Sequence, residues 1–184
     1  MITIDELRKL GGKISYAPVG VIRLEFSSTQ IYHFFSELAP PILIDNIHTH
    51  PHSFTSKVIK GGIRNHIYDV TDTDIETKHC VKHIPFRSDN EKLEIKMHRD
   101  NVRYTQTLRF DTYAGNTYTI DSTTMHMIDT LESKTITLLN CTPYIGGLTD
   151  VYFLMDKQVT YTREQLHNFK TEQECWEIVA DTLA

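Results

Sequence analysis

Between Ile42 and Cys141 the chain is cut into short runs of the β-branched and aromatic residues that suit extended strands. The runs span 42–50, 54–60, 63–70, 75–84, 91–98, 102–110, 116–120, 125–130 and 134–141. Turn signals separate them: Gly61-Gly62, Ser88-Asp89-Asn90, Asp100-Asn101, Ala114-Gly115-Asn116 and Asp121-Ser122. Many short strands at this spacing predict an all-β sandwich or barrel. A further strand is expected over Val151–Met155, after the Gly146-Gly147 turn.

The ends read differently. Thr3-Ile4-Asp5-Glu6 has the form of a capping box, and Gly11-Gly12 closes a short helix. Runs 13–17 and 19–26 follow as strands, broken by Pro18. Ser28 is expected to cap a second helix, whose apolar positions Ile31, Phe34, Phe35 and Leu38 have helical spacing and which Pro40-Pro41 stops. At the other end, Thr162-Arg163-Glu164-Gln165 and Thr171-Glu172-Gln173-Glu174 both predict helix starts, giving a C-terminal helical pair. The stripe Leu166, Phe169, Trp176, Ile178, Val179 and Leu183 would pack on the sheet or on a second copy, so a homodimer is expected. The expected organisation is one domain over 1–184: a lead-in over 1–41, a barrel core over 42–141, and a last strand with helices over 142–184.

Composition narrows the function classes. The chain has 184 residues, 40% hydrophobic and 23% charged, which is ordinary for a globular protein with a real core. No apolar run approaches the roughly 20 residues of a membrane span, and the first residues carry no signal-peptide pattern. A net charge of -5 argues against nucleic-acid partners. Three widely spaced cysteines do not make a disulfide framework, and a cytoplasmic location is expected.

The chemistry concentrates in Ile47-His48-Thr49-His50-Pro51-His52. Side chains two apart on a strand share a face, so His48 and His50 offer two imidazoles side by side. His126, following the run 116–120, would supply a third from another strand. Three protein ligands leave positions open on an ion, which is the catalytic arrangement rather than the closed structural one. His52 lies at a loop tip where it could swing into such a site. His66 and Tyr118 are candidates for moving protons. Arg64, Arg103 and Arg109 are candidates for gripping an anion. Arg64 shares a strand parity with His66, as Arg103 does with Thr105, Thr107 and Arg109. If those faces turn inward the cavity is cationic, and this is the register expected. The other register would line it with Asn65, Ile67, Tyr104, Gln106 and Leu108. His79, Cys80 and His83 read as a surface strand.

These residues resemble the cupin superfamily. Its first motif, G-x5-H-x-H-x3,4-E-x6-G, is matched by His48, His50 and the closing pair Gly61-Gly62. Its second is matched more loosely by Gly115, Tyr118, Ile120 and His126, without the family's internal proline and glycine or its terminal asparagine. The motif's glutamate falls at Phe54 or Thr55. Three histidines without the glutamate are similar to the thiol dioxygenase branch. The resemblance implies a double-stranded β-helix barrel over 42–141 and a divalent metal on His48, His50 and His126. That metal would be Fe(II) first, with Zn, Ni or Mn as alternatives. It implies an oxygenase or dioxygenase, and the cationic register makes a small, anionic molecule the expected substrate. A binding protein without turnover and an isomerase or epimerase are the alternative expectations.

Overall fold

A computed structural model describes residues 2–17, 19–41, 47–72, 79–85, 96–99, 102–143, 148–154 and 169–184. It is mainly β. The elements are α1 (Ile4–Lys9), β1 (Lys13–Ala17), β2 (Val21–Glu25), β3 (Gln30–Ser36), β4 (Ile47–His48), β5 (Phe54–Lys60), β6 (Gly62–Asp72), β7 (His79–Pro85), β8 (Lys96–Arg99), β9 (Val102–Tyr113), β10 (Thr117–Ile120), β11 (Met125–Thr130), β12 (Lys134–Cys141), β13 (Leu148–Leu154) and α2 (Glu172–Leu183). Two antiparallel sheets result. The first runs β1-β2-β3-β12-β5-β10 and the second β8-β7-β13-β4-β11-β6-β9. Neither sheet closes on itself.

Apolar side chains from facing strands join the two sheets. Ile31, Phe54, Ile120 and Leu139 of the first sheet meet Ile67 and Phe110 of the second. Deeper along the interior, Val21, Phe35 and Val58 meet Ile63 and Ile128. The first sheet is also covered on its other face, where Tyr16, Ile22, Leu24, Phe34 and Ile136 pack with Leu7 of α1 and Cys175, Ile178 and Val179 of α2. The molecule is therefore layered: helices, first sheet, second sheet. No helix among the described residues is long and apolar enough to cross a membrane.

This layering overturns the second N-terminal helix. The segment is strand β3, paired with β2 on one side and β12 on the other. A strand buried on both faces carries a nearly continuous apolar run. Here Ile31 and Phe35 face the second sheet while Phe34 faces the helices, and the sum imitates helical spacing. Ser27, rather than Ser28, organises the preceding turn: its Oγ accepts from the backbone N–H of Thr29 and Gln30. Leu38 lies beyond the strand end and is exposed.

Both capping boxes that fall on described residues form. Thr3 caps α1 with Glu6, and Thr171 caps α2 with Glu174. The helix expected from Thr162 lies outside the described residues, as does the Gly146-Gly147 turn. Of the apolar stripe behind the homodimer expectation, Ile178, Val179, Trp176 and Leu183 pack within the chain, while Phe169 is half exposed. Cys175, Ile178 and Val179 are buried on the first sheet.

Gly61 carries the chain from β5 in the first sheet to β6 in the second. Its φ of 72° is in the left-handed region, and a Cβ there would fall on Thr135 Oγ1 and within 2.9 Å of the Lys134 carbonyl. Both reasons require glycine at this corner.

Candidate metal centre

The second sheet sets the frame of the site. In β4 only Ile47 and His48 are strand, and His48 is the register partner of His126 in β11. The chain then leaves the sheet, so a loop rather than a strand delivers His50. That loop is tied down where the His50 N–H donates to the Ser122 carbonyl at 3.2 Å, just before β11 begins. Ser53 Oγ fixes it again by accepting from the Ser122 N–H at 3.0 Å.

The three imidazoles converge. Ring centroids lie 4.8 Å apart for His48–His50, 4.8 Å for His48–His126 and 5.1 Å for His50–His126. Ligand nitrogens of all three fall within 4.8 Å of one another. The tightest pair is His50 Nε2 and His126 Nε2 at 2.9 Å. Two imidazole lone pairs cannot face each other at that distance with nothing between them; either a proton or a cation must join them. With metal–nitrogen bonds of about 2.1 Å, that separation corresponds to an angle of about 90° at the ion.

Electrostatics favour the ligating form. Burial holds His50 well below the usual imidazole range, and its neighbours His48, His126, His52 and His33 add to the effect. Burial does the same to His126, with His48 contributing. Both rings are therefore neutral at pH 7, the protonation state that binds a metal. His126 is only 2% exposed, and its Nδ1 has no hydrogen-bond partner among the described residues. A buried, unpaired ring nitrogen is costly, by about 1–3 kcal/mol. A cation on the ring's other nitrogen would help to offset that.

The ligand group contains three histidines and no carboxylate. At one of the two positions where the cupin motif's glutamate would fall, Phe54 packs edge-on against His50, with centroids 4.9 Å apart. An ion on three neutral imidazoles keeps its full +2 charge, which disposes the site towards an anionic ligand.

The other sequence candidates divide. His52 stands beside the cluster, its ring centroid 6.0 Å from that of His50, and its pKa is lowered by burial and by Arg23. Tyr118 points into the core, where its ring contacts are with Phe54 and Phe110. Burial raises its pKa, against opposing effects of Ser56 and Asn65.

The cationic face is corrected by the register. Ile63 and Asn65 are fully buried, so β6 turns its odd-numbered residues inward. Arg64 and His66 face out. Arg64 makes a two-pronged pair with Asp111, both bonds 2.8 Å, and His66 bonds Asp129 at 2.8 Å and Gln106 at 3.0 Å. The physical reason is plain: this register buries Ile63 fully and Ile67 partly, whereas the other would bury a guanidinium and an imidazole. Arg109, the register partner of His66, is exposed. A bulge between Ile67 and Tyr68 then shifts the register along β9, and Gln106 and Leu108 are exposed as well. The side chain of Arg103 lies outside the described residues, as do those of His79, Cys80 and His83.

Two residues that the sequence reading passed over complete the interior. Arg23 on β2 and His33 on β3 are register partners, and their parity matches Val21, Ile31 and Phe35, which face the second sheet. Burial, with Arg23 adding, pushes His33 down to about 3. Arg23 and Glu25 are the charged residues in a strand otherwise made of Val21, Ile22 and Leu24. A charged pair inside an apolar strand was the available signal. His33 was hidden because its strand reads as a helix.

In comparisons with known proteins, no family model matches the chain and no curated protein is detectably similar to it.

Proposed function

We propose that this protein is a metal-dependent oxygenase built on a cupin-type double-stranded β-helix, holding one divalent ion on His48, His50 and His126. The observation that supports it most is the convergence of three imidazoles, two of them neutral and 2.9 Å apart through their Nε2 atoms. A cluster with an angle near 90° occupies one side of an ion and leaves the other side free. Bound Fe(II) would supply redox chemistry with O₂ at those free positions; Zn, Ni or Mn would suit the same donors.

The chain's own residues supply the rest. His48 and His126 are held in register by the sheet, and His50 by its backbone bond to Ser122. Phe54, which offers no donor, packs edge-on against His50 on one side of the cluster. The apolar layer of Ile31, Ile120 and Ile67 beneath it keeps the interior dry, which strengthens every charge interaction there. The substrate is a small anionic molecule, since the ligand set leaves the ion's charge uncompensated.

The test is oxygen uptake by tag-free protein reconstituted with Fe(II) without air and then mixed with small carboxylates, thiols among them. Iron-dependent uptake with at least one compound, absent in His126→Ala, is expected. Stoichiometric iron with no uptake, together with a small molecule that co-purifies, would replace the oxygenase by a binding protein that uses the same centre.

A further inference from the structure

The corner at Gly61 folds β6 back over β5, so their inward residues meet pair by pair across the interior. Val58 and Ile63 pack in one apolar cluster, and Phe54 and Ile67 in another. Ser56 and Asn65 lie between these pairs, on the same inward faces of their strands, and so form one layer. Tyr118 closes that layer. It is the register partner of Ser56, and its ring centroid lies 6.2 Å from that of Phe110, the register partner of Asn65. It also packs against both flanking clusters.

The layer is polar, neutral and unsatisfied. Ser56 and Asn65 are both at 0% exposure. Ser56 Oγ, Asn65 Oδ1 and Asn65 Nδ2 have no hydrogen-bond partner among the described residues. Their remaining register partners, Leu139 and Ile128, are apolar and offer none. Buried amides and hydroxyls persist in proteins because they are bonded, and three orphan atoms in one layer are too costly to serve packing alone. The histidine cluster adjoins this layer. His126 is the register partner of Ile67, which is two residues along β6 from Asn65, about 6.6 Å of strand. The Phe54 ring centroid lies 6.2 Å from that of His126 and 6.3 Å from that of Tyr118, so it borders both.

We infer that Ser56 and Asn65 form a recognition floor for a primary carboxamide on the ligand, whose carboxylate end faces His48, His50 and His126. Asn65 presents an N–H donor and a carbonyl acceptor side by side. A carboxamide presents the complementary edge, so two hydrogen bonds form in one plane and the Ser56 hydroxyl adds a third. A carboxylate in that position only accepts, and it would bury a charge with no cation in the layer. An alkyl group would leave all three atoms orphaned. The inference rests on the metal reading for the carboxylate end only; the amide floor itself needs no ion.

The test titrates succinamate and its apolar isostere isocaproate by calorimetry, into Co(II)-loaded and metal-free protein. Wild type, Asn65→Leu and Ser56→Ala are compared, with circular dichroism checking the fold. Loaded wild type should bind succinamate about tenfold more tightly than isocaproate, the equivalent of one or two neutral hydrogen bonds. Asn65→Leu should reverse that preference while holding as much cobalt as wild type. Its melting temperature should equal or exceed that of wild type, because an apolar group replaces an orphan amide. Ser56→Ala should weaken the preference, and it decides the question if Asn65→Leu does not fold. A wild type that prefers isocaproate, or a preference that neither substitution changes, overturns the inference and leaves the layer to internal water. So does a failure of succinamate to bind either form. A clear fall in the melting temperature of folded Asn65→Leu also overturns it, since the amide would then be bonded within the chain. If cobalt fails to bind wild type, the metal reading falls while the preference in metal-free protein still decides the role of Asn65.

Discussion

Replacing His126 by alanine should abolish metal binding, taking tag-free protein from an expected one bound ion per chain to essentially none. The ring is buried at 2% exposure, and its Nε2 faces that of His50 at 2.9 Å, so its loss removes a donor from the middle of the cluster. Loss of a group that merely supports a ligand weakens a metal by about 10–100-fold, and loss of a ligand should exceed that. His48→Ala and His50→Ala should match it. His66→Ala should bind as wild type does, because His66 lies on the outer face with Asp129 and Gln106. Elemental analysis after equilibration with Fe(II), Zn, Ni or Mn reads the result. Metal-induced thermal stabilisation gives an independent reading, since an ion at about 1,000 times its dissociation constant adds about 4 kcal/mol.

Metal-free protein should lose stability steeply on mild acidification. His33, His50 and His126 are all held neutral by burial in the folded chain, His33 down to about 3. In the unfolded chain they take up protons near the ordinary value of about 6.5. Below that value the unfolded state binds more protons than the folded one, so stability falls as pH falls. Each histidine contributes a slope of about 1.4 kcal/mol per pH unit in its window. For His33 the loss begins near 6.5 and is complete near 3. Three such groups acting together would exhaust a typical domain stability of about 5–15 kcal/mol within a few pH units. Carboxylates with lowered pKa values, such as Asp111 beside Arg64, act in the same direction. His33→Gln separates the effects, because it should reduce the slope by one histidine's share and leave the rest. Urea midpoints at pH 7, 6 and 5 measure this. Identical slopes in wild type and His33→Gln would show that His33 is protonated within the fold.

The sequence makes the β character and the His48–His50 pair legible for one reason: both are local patterns. Runs of β-branched residues between glycine turns correspond to strands, and an i, i+2 pair marks two imidazoles before any fold is known. What stays hidden depends on layers. β3 passes for a helix because it is buried on both faces, and nothing in its own residues says that α2 covers the first sheet. Parity on β6 is ambiguous until Ile63, Asn65 and Ile67 are seen to face inward, which sends Arg64 to Asp111. The bulge opposite Ile67 cannot be read from either strand alone. Arg23 stays hidden because its strand lies outside the span that resembles the cupin motifs.

X-ray absorption at the metal edge of the loaded protein tests the central claim most directly. The account predicts a first coordination sphere with three imidazole nitrogens at about 2.0–2.2 Å and light-atom donors in the remaining positions. The imidazole scattering should fall in His126→Ala protein loaded at high metal concentration. A sphere of oxygen donors alone, or a spectrum unchanged by loss of His126, would contradict it and place the metal elsewhere on the chain.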